Sequence, residues 1–216
     1  MPIVPKSRIA SRSTYDVHPS LAMVQSSIAK LKEKSGRTLD EWMAFIKKEG
    51  PPTEEQRRDW LKKTHGLGTN YSWWLAERSV GKGWEDDDPE AYLKAAAQYV
   101  DDMFAGGKAG LRPIHDALVA LGRSVAADVR VCPCKTIVPL FRNHVIAQIK
   151  PSTRTQIDLG LALGPLVGKK KLPARLIDTG GFAKKDRITH RIEITSLADI
   201  DEEVKRWLKT AYELDA

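Results

Sequence analysis

The sequence predicts an α+β protein, in which a small tryptophan-rich helical module precedes an antiparallel sheet packed on helices, the C-terminal helix among them. Three observations carry this reading. Helical spacing and helix-capping residues fill positions 18 to 121; apolar alternation begins only after Asp128; and the last residues return to a helical stripe.

The first 17 residues mix Pro, Ser and Arg without period and are expected to form a mobile arm. From Pro19, Leu21, Val24, Ile28 and Leu31 recur at helical spacing until Ser35 and Gly36. Thr38 to Glu41 and Thr53 to Gln56 are capping boxes, in which a Thr hydroxyl and a Glu or Gln side chain satisfy the orphan N–H groups of a new helix. Leu39, Trp42, Met43 and Ile46 form the buried stripe of one helix, Trp60 and Leu61 that of the next. Gly66 and Gly68 turn the chain into a fourth helix carrying Trp73, Trp74 and Leu75. Helices this short need a shared aromatic core, which places the helical module at residues 18 to 79.

Val80 to Asp88 holds two glycines and a run of acids and reads as a linker, with Asp88 and Pro89 suited to open the next helix. The second domain is then expected at 89 to 216. It starts with two helices, Pro89 to about Phe104 and Arg112 to Leu121. Strands are expected at 129–131, 136–142, 144–150, 156–161, 175–178 and 187–194, close enough for antiparallel meanders. Alternation puts Val145, Ala147, Ile149, Ile157, Leu159, Leu161, Ile192 and Ile194 on one face. The other face receives His144, Gln148, Lys150, Gln156, Asp158, Arg191 and Glu193, a polar and net basic surface. Ile200, Val204, Trp207, Leu208 and Ala211 give the last helix the stripe that docks on the apolar face.

Composition narrows the function classes. With 42% hydrophobic and 29% charged residues the chain lies in the globular range. No run approaches the roughly 20 apolar residues of a bilayer span, and the N-terminus lacks the apolar core of a signal peptide. A cytoplasmic protein with no membrane partner is expected. Cys132 and Cys134 are too close for a useful mutual disulfide and are expected to be free thiols. The net charge of +7 is unevenly spread: residues 108 to 191 hold 16 Lys and Arg against 5 Asp and Glu, whereas residues 1 to 107 hold 16 of each sign. A local excess of 11 attracts nucleic acid or another polyanion.

Two stretches resemble known families. SGRTLDEWMAFIKKEGPPTEEQRRDWLKKTHGLGTNYSWWLAERS is similar to a small helical bacterial domain of unknown function with a TLDEW start and an HGLG hinge. LRPIHDALVALG, KTIVPLFRNHVIAQIKPSTRTQIDLGLAL and ITHRIEITSLADIDEEVKRWLKTAYE resemble a second uncharacterised bacterial domain that commonly follows the first. That second domain is similar in strand order to small α+β domains described as DNA-binding-like or iron-chaperone-like. The resemblance implies a fold and no catalytic residues.

The candidate binding residues are Lys135, Arg142, Lys150, Arg154, Lys184, Lys185, Arg187 and Arg191, within a wider basic set that includes Lys169, Lys170 and Lys171. Gly66 and Gly68 join them, because a glycine hinge before a helix N-terminus resembles the helix-hairpin-helix element that contacts a nucleic-acid phosphate; its plain alternative is a left-handed helix cap. No cofactor is expected. Cys132, Cys134 and His144 fall short of the four ligands of a closed zinc site. Cys132, His144 and Asp158 have no spacing that requires them to meet as a nucleophile arrangement, and two carboxylates, Asp158 and Glu193, are thin ground for a metal-dependent hydrolase. The leading expectation is a non-enzymatic module that binds nucleic acid or another polyanion. The alternatives are a small-ligand or enzymatic domain with a pocket between sheet and C-terminal helix, and a protein adaptor using exposed Trp side chains.

Overall fold

The computed structural model describes residues 14–169 and 171–216, so that most of the expected arm and Lys170 lie outside the described residues. The chain forms two compact units that divide between Ala95 and Ala96, with 14–16 belonging to the second. Among the described residues no helix is long and apolar enough to cross a membrane.

The helical unit comprises α1 (Ser20–Ala29), α2 (Leu31–Ser35), α3 (Leu39–Glu49), α4 (Glu54–Lys63) and α5 (Thr69–Ser79). The single helix expected from Pro19 is split at Lys30, whose ψ of 0° tightens the backbone between α1 and α2. Both capping boxes form: Thr38 accepts from the Glu41 N–H and Thr53 from the Gln56 N–H, with Glu41 and Gln56 accepting in return. Leu31, Trp42, Ile46, Leu61, Leu67, Leu75 and Ala76 are buried together. His65 packs edge-on against Trp60 at 4.4 Å between ring centres and against Trp42 and Phe45. Burial pushes its pKa below the usual value.

Residues 80 to 88, expected as a linker, fold back onto α5. The guanidinium of Arg78 is fully buried, lying 4.3 Å from the Trp74 ring centre and 4.9 Å from that of Trp84. Asp87 stands 3.1 Å from Arg78 Nη2, an ion pair without hydrogen-bond alignment. Trp84 and Asp87 come from the Gly- and Asp-rich stretch, so a composition typical of linkers here supplies the two groups that enclose a buried cation.

The α+β unit takes in the end of α6 (Pro89–Met103), α7 (Arg112–Val125), β1 (Arg130–Val131), β2 (Val138–Phe141), β3 (Val145–Pro151), β4 (Ile157–Leu161), β5 (Ile177–Asp178), β6 (His190–Ile194) and α8 (Glu202–Glu213). The sheet order is β1-β2-β3-β4-β6-β5, antiparallel throughout. The first four strands make the expected meander, but β6 enters between β4 and β5. It supplies a full alternating row to β4, with Ile192 opposite Leu159 and Ile194 opposite Ile157, whereas two-residue β5 can only serve an edge.

Most of the expected apolar face forms: Ala147, Ile149, Ile157, Leu159, Leu161, Ile192 and Ile194 are fully buried, joined by Val138 and Leu140, whereas Val145, at the register irregularity opposite Phe141, is only half-buried. Helices α7 and α8 pack with each other and with the strands. Gly122 of α7 permits this approach, since a Cβ there would sit 2.8 Å from a methyl of Leu140. On the opposite face, Gly160 is covered by Ile188 and Gln148. Residues 14–16 are also pinned: Asp16 bonds the backbone of Val131 through its own N–H and its carboxylate, and Arg123 bonds Thr14 and Asp16.

Trp207 is 6% exposed in the middle of the α8 stripe. Trp207→Ala should destabilise the α+β unit by about 3 to 5 kcal/mol, read as a lowered denaturant midpoint; a change below about 1 kcal/mol would show that α8 contributes little to the core. In the helical unit, Asp87→Ala leaves a buried guanidinium without its counter-charge. Limited proteolysis should then cut within residues 80 to 88 much faster than in the wild type.

Candidate functional site

The second face of the sheet does not carry the basic surface that alternation alone suggests. Lys150 lies opposite Asp158, and Asp158 opposite Glu193. Arg191 Nη1 donates to Asp158 at 2.8 Å and to Glu193 at 2.7 Å. Arg191 is taken up by the two acids there, and Lys150 lines one rim of the sheet instead. Positive charge gathers at that rim, where turns and the end of β3 supply the side chains.

At that rim a cleft of about 640 Å³ opens between the end of α6, the turn after it, the loop past Cys134 and the β3–β4 turn. Lys108, Lys135, Lys150 and Arg154 line it, against one carboxylate, Asp102. Local structure fixes these side chains. Lys108 Nζ donates to the Pro151 carbonyl at 2.8 Å, tying the turn after α6 to the end of β3. Arg154 lies along Gly107, where a Cβ would come within 3.3 Å of its Cδ. The Ser152 and Thr153 N–H groups both bond the Gln156 carbonyl and close the β3–β4 turn that presents Arg154. The Cys134 N–H bonds the Ile137 carbonyl, a tight turn that projects Lys135 and Thr136, and Lys135 Nζ sits 6.0 Å from the Tyr99 ring centre. Asp102 accepts from Gln98, which occupies part of the one acid present.

Of the sequence-predicted residues, then, Lys135, Lys150 and Arg154 come together, and Lys108 joins them. The others sit elsewhere. Arg142 stacks on Tyr212 at 4.3 Å, donates to its carbonyl and pairs with Asp128 at 3.5 Å. Lys184 and Lys185 lie in the exposed turn before β6, and Arg187 is bound to Asp215. Gly66 and Gly68 belong to the helical unit. Gly66 has a left-handed φ of 65° and Gly68 is the N-cap of α5, the geometry of a helix-to-helix turn.

The reactive constellations weighed from the sequence do not assemble. Cys132 is fully buried, and burial pushes its thiol up to about 12; burial raises Cys134 too. His144 turns its Nδ1 to Asp215 at 2.9 Å rather than to Asp158. No group of three metal-ligating side chains occurs among the described residues.

Asp215 is the residue that sequence reasoning missed. It is 5% exposed and accepts from the N–H groups of Asn143 and His144, from His144 Nδ1 and from Arg187. Burial works to raise its pKa, but the His144 N–H and side chain and the Arg187 charge outweigh it and hold the carboxyl below its usual value. Nothing in sequence spacing signals this, because its partners lie 28 to 72 positions away.

Comparison with known proteins agrees with this division. Residues 100–215 match the model of a domain of unknown function, DUF5655. The chain belongs to the DUF5655 family. The cationic cleft and the Asp215 cluster both lie within the DUF5655 match, and residues 23–78 of the helical unit match a second domain of unknown function, DUF4287. No curated protein and no solved structure matches the chain.

A carboxylate whose folded pKa is depressed contributes stability that is present above the ordinary aspartate pKa and is lost as pH falls through the folded value. Acidifying from neutrality to below the usual aspartate range should therefore weaken the DUF5655 domain. Asp215→Asn should lower the neutral-pH denaturant midpoint and flatten that pH dependence; an unchanged profile would show that Asp215 does not hold the hairpin to the chain end.

Proposed function

We propose that the DUF5655 domain is a non-enzymatic module that binds nucleic acid or another polyanion by its backbone charge. The observation that supports this is the meeting of Lys108, Lys135, Lys150 and Arg154 in one cleft with a single carboxylate beside them. These four come from positions spread over 47 residues, yet the fold brings them to one rim, while Arg142, Arg187 and Arg191 of the same segment are drawn into ion pairs. The cleft therefore gathers the basic side chains of this segment that those ion pairs do not take up at Arg142, Arg187 and Arg191.

Such a site reads charge rather than sequence. Lysine and arginine attract phosphates through counterion release, and this requires no base-edge contact. The cleft lining includes no aromatic side chain on which an unpaired base could stack, so duplex and single strand should bind comparably and with little sequence preference.

Fluorescence anisotropy with a random-sequence duplex tests this. If all four cations neutralise a phosphate, log K should fall by up to about 3.6 per tenfold rise in salt, from roughly 0.9 per phosphate. The double reversal Lys150→Glu and Arg154→Glu should weaken binding at least about tenfold and take roughly 2 from the slope. The reversals Lys30→Glu, Lys32→Glu and Lys34→Glu in the helical unit should change it little. No retention of DNA or RNA near about 50 mM salt would mean that the cleft is only a solvated surface.

A further inference from the structure

A second pocket in the same unit has a different chemistry. It holds about 700 Å³ between the end of β4, the turn before β6 and the last turn of α8, within the size range of small-molecule sites. Its walls are made of small residues, Ala162 and Gly164 on one side and Ala211 on α8, which leave the space open. Phe182 stands at the edge, 55% exposed, close to Gly164.

The turn that carries Phe182 is held in one conformation. The Lys184 and Asp186 N–H groups both bond the Gly181 carbonyl and the Lys185 N–H bonds that of Phe182. Gly181 presses against the Ile188 carbonyl, 2.2 Å from where a Cβ would be, so a larger residue is excluded. Lys185 adopts a left-handed φ of 58°, the single non-glycine residue to do so among those described. Such a conformation persists in a lysine only where the surroundings impose it.

The polar groups converge at one end. Arg187 donates Nε–H to the Val145 carbonyl at 2.9 Å and Nη2–H to Asp215, which together occupy one edge of the guanidinium. The other edge, Nη1 with the second Nη2 hydrogen, makes no hydrogen bond among the described residues and has the fork geometry that meets a carboxylate with two parallel bonds. Of the charged residues that line the pocket, Lys185 and Arg187 are positive and Asp186 is negative, an excess of one. Asp186 is exposed and accepts from the Ile188 N–H at 3.2 Å. A single excess charge matches a monoanion, and the apolar walls match an apolar body.

We propose that this pocket binds a small amphipathic monocarboxylate, its apolar body against Ala162, Gly164, Ala211 and Phe182 and its carboxylate at Arg187 and Lys185. The site is separate from the cationic cleft and does not depend on polyanion binding there.

Calorimetric titration of the full chain with octanoate, octanol and acetate tests it, with amide chemical shifts of residues 181 to 189 as the second readout. Octanoate should saturate and move those shifts. Octanol, which lacks the charge, should bind at least about tenfold more weakly, the loss expected for a charge-assisted hydrogen bond; acetate, which lacks the body, should not saturate. Lys185→Asn preserves a left-handed backbone while removing the charge, and should weaken octanoate without changing octanol. Ala183→Trp, an exposed position at the rim, should block both. Absence of saturable octanoate binding, equal affinity for octanoate and octanol, or loss of octanoate binding on Lys150→Glu with Arg154→Glu would each overturn the assignment. DNA binding should be the same with and without octanoate, which keeps the two sites' tests apart.

Discussion

The α+β unit depends on the period-two alternation of β3, β4 and β6. Antiparallel strands that alternate in phase give one continuous apolar face, and α7 and α8 have to cover it. Once they do, side chains with chemistry are confined to the opposite face, the rims and the turns. On the opposite face the strand register sets Asp158 beside Glu193, and Arg191 bonds both, so its charge is taken up there. Both candidate sites therefore sit at rims. One is formed where turns and loops meet the end of β3, the other where a fixed turn meets the end of α8.

Local signals were the legible part of the sequence. The capping boxes at Thr38 and Thr53, the stripe around Trp207 and the apolar rows of β3, β4 and β6 each need only residues within one element or its neighbour in sequence. Relations between distant segments were not legible in the same way. That β6 would insert beside β4 follows from β5 having only two residues to offer, a length that propensity does not set sharply. The enclosure of Arg78 by Trp84 and Asp87 inverted the meaning of a Gly- and Asp-rich stretch, because composition reports average behaviour and a buried cation is a particular demand.

The candidate sites follow the same division. A charge count located the basic segment at residues 108 to 191, but it could not say which cations would find carboxylates in three dimensions. Arg187 and Arg191 did, through partners at Asp215, Asp158 and Glu193, while Lys108 gained its place from a bond to a carbonyl 43 positions away. The HGLG hinge offers a contrasting case. Its His65 is enclosed by three aromatic rings and its Leu67 is buried, so those two residues of the motif serve packing within the helical unit.

The uneven placement of tryptophan has an optical consequence. Five of the six indoles belong to the helical unit, and Trp74 and Trp84 flank a guanidinium there, whereas Trp207 alone reports on the α+β unit. Total emission is thus weighted toward one half of the chain. Replacing the indoles of the helical unit by phenylalanine would turn Trp207 into a private fluorophore for the other half, and the melting of each part would become separately visible in a single cuvette.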